Sequence, residues 1–168
     1  SLADVDRFRF EFKSLIAGWH QENEESMTLY LSDMEVRRLL TTEIAIQCLD
    51  DAFKDQASGG AINLPRHRIP LRHGSYNTMS AAWLERDVVG EKSYVATRHG
   101  VGFFVLLYNT TGNGLIAMFE ANSLGQIRTG AASGLASRYM ARPDSETVGM
   151  IGTGYQAQTQ LESVVAVL

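Results

Sequence analysis

The sequence predicts an α/β fold in which an N-terminal α+β domain, built on an antiparallel sheet, precedes the first βα unit of a parallel sheet. Three observations predict it. Two stretches with helical spacing of apolar residues come first, between about residues 32 and 57. Short runs rich in β-branched and aromatic residues, separated by turn residues, follow up to about residue 120. A stretch rich in small residues then leads to an apolar run and a glycine turn near residue 152.

The composition is that of a globular protein. The chain has 168 residues, 45% hydrophobic and 20% charged, and its net charge of −4 gives no expectation of a nucleic-acid partner. A single cysteine, Cys48, excludes an intrachain disulfide and suits a reducing compartment. No apolar run reaches the ~18 residues that span a bilayer, and no signal-peptide pattern is found. We therefore expect a cytoplasmic protein with no membrane partner. No metal site is expected, because metal-ligand spacing is absent from His67, His73 and His99.

Residues 1–26 are predicted to be an N-terminal extension, and residues 27–142 a first domain. In the extension, Phe8, Phe10 and Phe12 alternate with charged residues, which predicts a short strand followed by a helix. The first domain begins with a short strand at residues 29–31. Ser32 and Glu35 have the spacing of a capping box, so a helix should begin there and run to about residue 40.

A second helix is predicted from about residue 42 to residue 57, and the pair Gly59–Gly60 ends it. Its apolar face is predicted to contain Ile44, Cys48, Leu49, Ala52 and Phe53. Two prolines make residues 65–70 extended. Strands follow at residues 76–83, 90–97 and 103–108, and a hairpin turn at residues 109–114 leads into a strand at residues 115–120. These strands should form an antiparallel sheet.

The helix predicted at about residues 123–141 is rich in small residues. Each glycine costs a helix about 1 kcal/mol, so their use here indicates that another backbone or a ligand approaches closely. The helix ends before Pro143, as helices do. Arg128 stands alone among these small residues. An arginine that is buried without a partner is costly, so we expect an anion beside it.

Residues 143–168 are predicted to begin a Rossmann domain. A strand at residues 147–151 leads into Gly152-Thr-Gly-Tyr-Gln-Ala157, which has the form Gly-x-Gly-x-x-Ala and precedes a helix. In such a turn the first glycine permits the bend, the second lets the backbone approach a pyrophosphate, and the small third residue lets helix and strand pack closely. Alone this motif is weak, because many glycine turns bind nothing. The acidic residue that holds a ribose is expected about 20 residues further on, past Leu168, so we expect an incomplete domain.

Three motifs together carry a resemblance to a known family. They are Leu124-Gly-Gln-Ile-Arg-Thr-Gly-Ala-Ala-Ser133, then Ala141-Arg-Pro-Asp144, and then Gly152-Thr-Gly-Tyr-Gln-Ala157. From about Thr28 to Leu168 the chain resembles the first half of a member of the ornithine cyclodeaminase/mu-crystallin family. That family includes ornithine and lysine cyclodeaminases, alanine dehydrogenases and ketimine or pyrroline-carboxylate reductases. The resemblance implies a sheet domain that forms a homodimer and holds a small 2-amino or 2-imino acid, followed by a Rossmann domain that holds NAD or NADP.

The resemblance also implies the residues of the site. Arg66, Lys92 and Arg128 would hold the substrate carboxylate, with Met79 beside them, and Lys92 would be the catalytic residue that takes part in proton transfer. The distance to Met79 favours Arg66 over Arg68, and we expect one of these two arginines to be solvated. The cofactor would be held by Arg128, Thr129, Gly152, Thr153, Gly154, Tyr155, Gln156 and Ala157.

Three departures from the family's pattern bear on the reaction. Cyclodeaminases of the family carry an acidic residue two positions before the methionine of this strand, and Asn77 stands there instead. A cofactor-contacting threonine is replaced by the glycine-rich residues 100–102. The catalytic aspartate of the family's Rossmann domain would lie beyond residue 168.

We therefore expect an NAD(P)-dependent amino-acid enzyme that transfers a hydride at the α-carbon of a 2-amino or 2-imino acid, as alanine dehydrogenases and ketimine or pyrroline-carboxylate reductases do. The alternatives are ornithine cyclodeaminase proper, a non-catalytic protein that binds NAD(P) or another ligand, and a structural dimerisation module. We also expect this chain to be a piece of a longer enzyme and not to turn over by itself.

Overall fold

A seven-stranded sheet organises the fold. The computed structural model describes residues 28–112 and 114–168, and the prediction for the N-terminal extension lies outside them. The strands are β1 (Leu29–Leu31), β2 (Ala61–Asn63), β3 (His67–Leu71), β4 (Gly74–Trp83), β5 (Val88–Thr97), β6 (Gly100–Asn109) and β7 (Gly114–Glu120). The helices are α1 (Asp33–Leu39), α2 (Thr42–Ala57), α3 (Asn122–Met140) and α4 (Ala157–Val165), with a 3-10 turn at Leu84–Arg86.

The sheet is antiparallel except at one edge. Its order is β1-β7-β6-β5-β4-β2, and β3 also pairs with β4. Strand β1 runs parallel to β7. The predicted α/β fold class is confirmed, and the four longest strands lie where the hydrophobic runs indicate. Strand β2 is absent from the prediction, because its three residues are too short to alternate visibly and are held by pairing with β4.

Both N-terminal helices begin at side-chain caps. The predicted capping box is confirmed: the N–H of Glu35 donates to Ser32 Oγ at 3.4 Å, and the N–H of Ser32 donates to Glu35 Oε2 at 2.9 Å. Helix α2 matches its predicted apolar face only in part, because Ile44 is buried and Leu49 packs against the core, as predicted, but two other residues do not. Cys48 and Phe53 are exposed, and the buried residues are Ile44, Ala45, Ile46 and Asp50. Packing between helices decides which residues of α2 are buried, because Ala45 and Ile46 form a core cluster with Ala131 and Leu135 of α3.

The helices cover one face of the sheet. Residues that lie opposite one another in register share a face, as do alternate residues of one strand. On the covered face, Trp83 donates from Nε1 to Asp55 of α2 at 2.6 Å, and Lys92 lies beside Gly125 of α3. On the other face, large side chains are 42–55% exposed, namely Tyr30, Ile69, Val95 and Phe104.

Helices α3 and α4 pack so closely that the backbone of one touches the backbone of the other. A Cβ atom on Gly130 would lie 2.3 Å from the carbonyl oxygen of Thr159, and one on Gly134 would lie 2.5 Å from that of Ser163. Ser163 is fully buried. The prediction that small residues in this helix permit a close approach is confirmed, and the approaching element is the helix that follows the glycine turn.

The strand predicted at residues 147–151 does not form. This segment is irregular and exposed. A strand of a parallel sheet is held by hydrogen bonds to its neighbours, and none of the described strands pairs with these residues. The turn and helix after it do form. Gly152 has a φ of +94°, in the left-handed region that glycine adopts readily, and α4 begins at Ala157.

Candidate functional site

Lys92 lies near the middle of β5, on the face of the sheet that the helices cover. It is opposite Met79 of β4 on one side and Val105 of β6 on the other. Its Nζ is 4.4 Å from the centroid of the Phe103 ring and 5.8 Å from that of Tyr94, and these two ring centroids are 4.8 Å apart. The ammonium group therefore lies against the rings of Phe103 and Tyr94, which we call the aromatic floor. The residue is half-buried.

Two arginines act on Lys92. Burial, the positive charge of Arg128 and the positive charge of Arg66 lower the pKa of Lys92, in that order of size. Arg128 belongs to α3, which passes so close that a Cβ on Gly125 would lie 3.6 Å from the Nζ of Lys92. A lowered pKa brings the ammonium closer to its neutral form, so the group can both attract an anion and exchange a proton. The charges of Arg128 and Arg66 thus act on Lys92, and both arginines are exposed, so Arg128 is not buried as its small neighbours led us to expect.

Arg68 is anchored on the same face. Its Nε donates to Oδ1 of Asn77 at 2.9 Å, and Asn77 donates from Nδ2 to Oγ of Ser75 at 3.0 Å. Asn77 is only 1% exposed. Both Arg66 and Arg68 are exposed, whereas only one was expected to be solvated, and Arg68 is in addition held by Asn77. Since Arg68 faces Asn77 in register, and Asn77 alternates with Met79, Arg68 projects from the face that carries Lys92.

Helix α3 connects this basic cluster with the glycine turn. Gln126 donates from Nε2 to the backbone oxygen of Tyr155, and the hydroxyl of Thr159 on α4 donates to the backbone oxygen of Gln126 at 3.1 Å. The hydroxyl of Thr129 donates within its own helix, to the oxygen of Gly125 at 2.7 Å. The contact of Thr129 with a cofactor phosphate stays a prediction.

The glycine turn presents its backbone to solvent from Gly152 to Tyr155. The N–H of Ala157 donates to the oxygen of Gly154 at 2.9 Å, which closes the turn, and α4 begins without a side-chain cap. The buried Oε1 of Gln156 has no hydrogen-bond partner among the described residues. Free N–H groups at a helix start attract anions, and a Cβ on Gly154 would meet nothing within 4 Å, so a ligand could approach this backbone closely.

A groove of ≈ 510 Å³ adjoins this turn, lined by residues that include Arg37, Gln126, Thr153, Gly154 and Tyr155. Within the described ranges, no group of three His, Cys, Asp or Glu side chains could hold a metal ion. No described helix combines the length and apolarity needed to cross a membrane.

Two features of the site are absent from the sequence-based prediction. The aromatic floor could have been found, because Tyr94 lies two residues after Lys92 and must share its face. The Arg68–Asn77 contact could not, because it depends on the register of β3 against β4.

The chain is similar to known enzymes in sequence and structure. A Delta(1)-pyrroline-2-carboxylate reductase from Bacillus cereus is 40% identical over 149 residues, covering 83% of this chain and 46% of the reductase. An archaeal alanine dehydrogenase dimer with bound NAD gives 29% identity and a TM-score of 0.78, over 84% of this chain and 46% of that chain. The Thermococcus litoralis Delta(1)-pyrroline-2-carboxylate reductase, in complex with NADH and L-proline, gives 29% identity and a TM-score of 0.76, over 83% of this chain and 46% of that one.

The chain spans about half the length of these relatives. Both solved structures hold NAD or NADH, in agreement with the predicted cofactor. The sequence profile of the ornithine cyclodeaminase/mu-crystallin family matches residues 24–168. The chain therefore belongs to the ornithine cyclodeaminase/mu-crystallin family.

Proposed function

We propose that the protein containing this chain is an NAD(P)-dependent enzyme that transfers a hydride at the α-carbon of a 2-amino or 2-imino acid, in the manner of alanine dehydrogenases and pyrroline-carboxylate reductases. The observation that carries the proposal is the cluster of Lys92, Arg66 and Arg128, which suits a carboxylate and includes a group able to exchange a proton. Two relatives support the proposal, because one is a Delta(1)-pyrroline-2-carboxylate reductase and the other an alanine dehydrogenase. With one cysteine, the chain suits the reducing cytoplasm, where we expect it to act.

The basic residues have distinct roles in this proposal. The guanidinium groups of Arg66 and Arg128 bind the α-carboxylate, because a planar fork of donors matches its two oxygens. Lys92 gives a proton to, or takes one from, the substrate nitrogen, and its lowered pKa suits both directions. The rings of Tyr94 and Phe103 exclude water from one side of the ammonium, which contributes to the burial that lowers the pKa.

The start of α4 and the exposed side of α3 would hold the cofactor. The backbone of Gly152–Gly154 and the N–H groups that follow it would bind the pyrophosphate, with Thr129 and Arg128 beside it. The unpartnered Oε1 of Gln156 offers an acceptor to a hydroxyl or amide donor. When bound, the nicotinamide supplies or takes up the hydride at the substrate α-carbon.

A neutral Asn77 favours this reaction over ring-forming deamination. A diamino acid brings a distal ammonium, which a carboxylate would receive. Both polar groups of Asn77 are already engaged, by Arg68 and Ser75. On the described strands of the site face no carboxylate is found, so an ammonium has no partner there. Ornithine cyclodeaminase and a non-catalytic binding protein remain the alternatives.

Turnover tests the proposal. The complete protein would be assayed for oxidation of NADH and NADPH with pyruvate plus ammonium and with pyrroline-2-carboxylate, and for ammonia release from L-ornithine. We expect cofactor oxidation with the imino acids. Ammonia release from ornithine without net cofactor oxidation would favour the cyclodeaminase, and cofactor binding without any turnover would favour a binding protein. Lys92→Met should lower kcat by about 10²–10⁴-fold, whereas Lys54→Met on α2 should leave it unchanged.

We also propose a homodimer formed through the uncovered face of the sheet. Tyr30, Ile69, Val95 and Phe104 expose much of their surface on this one face, and exposed apolar surface beyond isolated residues marks interfaces. The alanine dehydrogenase relative is a dimer. Phe104→Asp should reduce the mass in native solution from two copies to one, and Phe53→Asp, at an exposed position of α2, serves as the control. A dimer that survives Phe104→Asp would contradict this interface.

A further inference from the structure

The face that carries Lys92 concentrates positive charge. Its charged side chains on the described strands are Arg68 and Lys92, and the charges of Arg66 and Arg128 act on the same space. The sequence has no aspartate or glutamate from residue 56 to residue 84 or from residue 92 to residue 119. Glu91 alternates onto the opposite face. The whole chain nevertheless has a net charge of −4, so these four cations form a local excess.

Arg68 is the cation that the proposed reaction leaves unused. Its Nε is bound by Asn77, and Asn77 is itself buried and fixed by Ser75. This single attachment orients the guanidinium. Among the described residues, no partner is found for its two terminal nitrogens, which can bind a carboxylate side by side. Arg68 is thus a pre-oriented receptor for an anion.

The receptor is separate from the first carboxylate site. Arg68 lies on β3 and Lys92 on β5, with β4 between them. Neighbouring strands are about 4.8 Å apart, so the two backbones are about 10 Å apart. Both side chains are long and project from the same face, so a small molecule lying over β4 could contact both charged ends.

We propose that Arg68 binds a second carboxylate, and that the substrate is a small 2-imino or 2-amino dicarboxylic acid. The inference rests on the proposed function: the α-carboxylate occupies Arg66, Lys92 and Arg128, and the distal carboxylate meets Arg68. A dicarboxylic acid matches both anion sites, whereas a monocarboxylic acid leaves Arg68 without a counter-charge. Asn77 is the positioning residue for Arg68.

L-Aspartate and L-asparagine test this as a matched pair, because they share a shape and differ in the charge of the distal group. In the complete protein with NAD or NADP, we expect kcat/KM for aspartate to exceed that for asparagine by about 10–100-fold, the range of one charge-assisted hydrogen-bonded pair. Arg68→Gln keeps a donor for Asn77 and removes the charge. It should raise KM for aspartate by about 10–100-fold, with kcat and the asparagine constants nearly unchanged. Arg72→Gln, in the turn between β3 and β4, is the matched control and should alter neither.

Each outcome separates this inference from the proposed function. If alanine and asparagine are oxidised as well as aspartate, and Arg68→Gln changes none of them, the reaction stands and the second carboxylate site is overturned. If no amino acid is oxidised and no imino acid is reduced, the proposed function fails, and calorimetry still decides the site. Tighter binding of aspartate than asparagine, lost in Arg68→Gln, would support it. Equal binding of the two would overturn it.

Discussion

The carboxylate of Asp33, on helix α1, caps helix α3 from outside. Its Oδ1 accepts from the N–H of Ser123 at 2.7 Å and its Oδ2 accepts from the hydroxyl of Ser123 at 2.6 Å. Helix α3 has no side-chain cap of its own, because its N-cap residue is Ala121. The N–H of Asp33 donates to Glu120 at 2.9 Å. Asp33 of α1 therefore hydrogen-bonds both to the end of β7, at Glu120, and to the start of α3, at Ser123. This junction sets the position of the helix that brings the site arginine to the sheet.

Asp33→Ala should lower the free energy of unfolding by about 1–2 kcal/mol, the cost of losing an N-cap. Because the lost cap belongs to α3, the substitution should also shift the titration of Lys92, whose pKa depends on Arg128 of that helix. Urea unfolding and pH-dependent labelling of Lys92 measure the two effects. Ser32→Ala removes the cap of α1 instead, so it should destabilise the chain without moving Lys92. Equal shifts of Lys92 in both variants would count against the cap.

Gly130→Ala should destabilise the chain even though alanine is the better helix former. The new Cβ would lie 2.3 Å from the oxygen of Thr159, and overpacking of this kind costs about 1–3 kcal/mol, more than the roughly 1 kcal/mol gained from helix propensity. Gly125→Ala is the control on the same helix, because its Cβ would meet only the Nζ of Lys92, at 3.6 Å. It should be neutral or stabilising in thermal unfolding. A stabilised Gly130→Ala would mean that α3 and α4 do not pack this closely.

Local signals predicted local structure well. The capping box of Ser32 and Glu35 needs only residues three apart, and the hairpin between β6 and β7 needs only its own turn. The buried face of α2 depends instead on where α3 packs, so the sequence pattern wrongly placed Cys48 in the core. The strand predicted at residues 147–151 fails for a related reason, because a parallel strand is defined by partners that the described strands do not supply.

The site likewise contains residues that could be predicted from the sequence and a contact that could not. Lys92, Arg66 and Arg128 were expected because the resemblance to the family implies them, and in the folded chain the charges of both arginines act on Lys92. The anchoring of Arg68 on Asn77 joins two strands whose register is set by pairing across the sheet. Spacing along the chain carries no information on that register, so the second arginine could be assigned no place in advance.

Lys92 should titrate at a lower pH than Lys54. Burial and the charges of two arginines lower the pKa of Lys92, whereas a hydrogen bond to Asp50, with Nζ to Oδ2 at 2.9 Å, raises the pKa of Lys54. Only the neutral amine reacts with acylating reagents, so the pH midpoint of labelling reports each pKa. Arg128→Met should move the Lys92 midpoint upward and leave Lys54 unchanged, because Arg128 exerts the larger of the two charge effects. Coincident midpoints in the unmodified chain would refute the lowered pKa.

Lys92→Met should stabilise the chain at neutral pH, and the gain should shrink as the pH rises. The pKa of Lys92 in the folded chain lies below its ordinary value of 10.5. Between these two values the unfolded chain binds more protons than the folded one, so stability rises with pH across that interval. Below the folded pKa the penalty of the buried ammonium is complete, and Lys92→Met removes it.

Lys54→Met should change the free energy of unfolding in the opposite direction. The folded pKa of Lys54 is raised above 10.5 by the hydrogen bond to Asp50. The stability from that bond is therefore fully present below 10.5 and is lost as the pH rises through the folded value. Lys54→Met should then destabilise the chain at neutral pH, with a deficit that fades in strong alkali. Urea unfolding from pH 7 to pH 10.5 measures both variants, with the unmodified chain in parallel. The two differences should have opposite signs at pH 7. If Lys92→Met instead destabilises the chain equally across this range, Lys92 contributes packing alone, and its charge is not held at a cost in the folded chain.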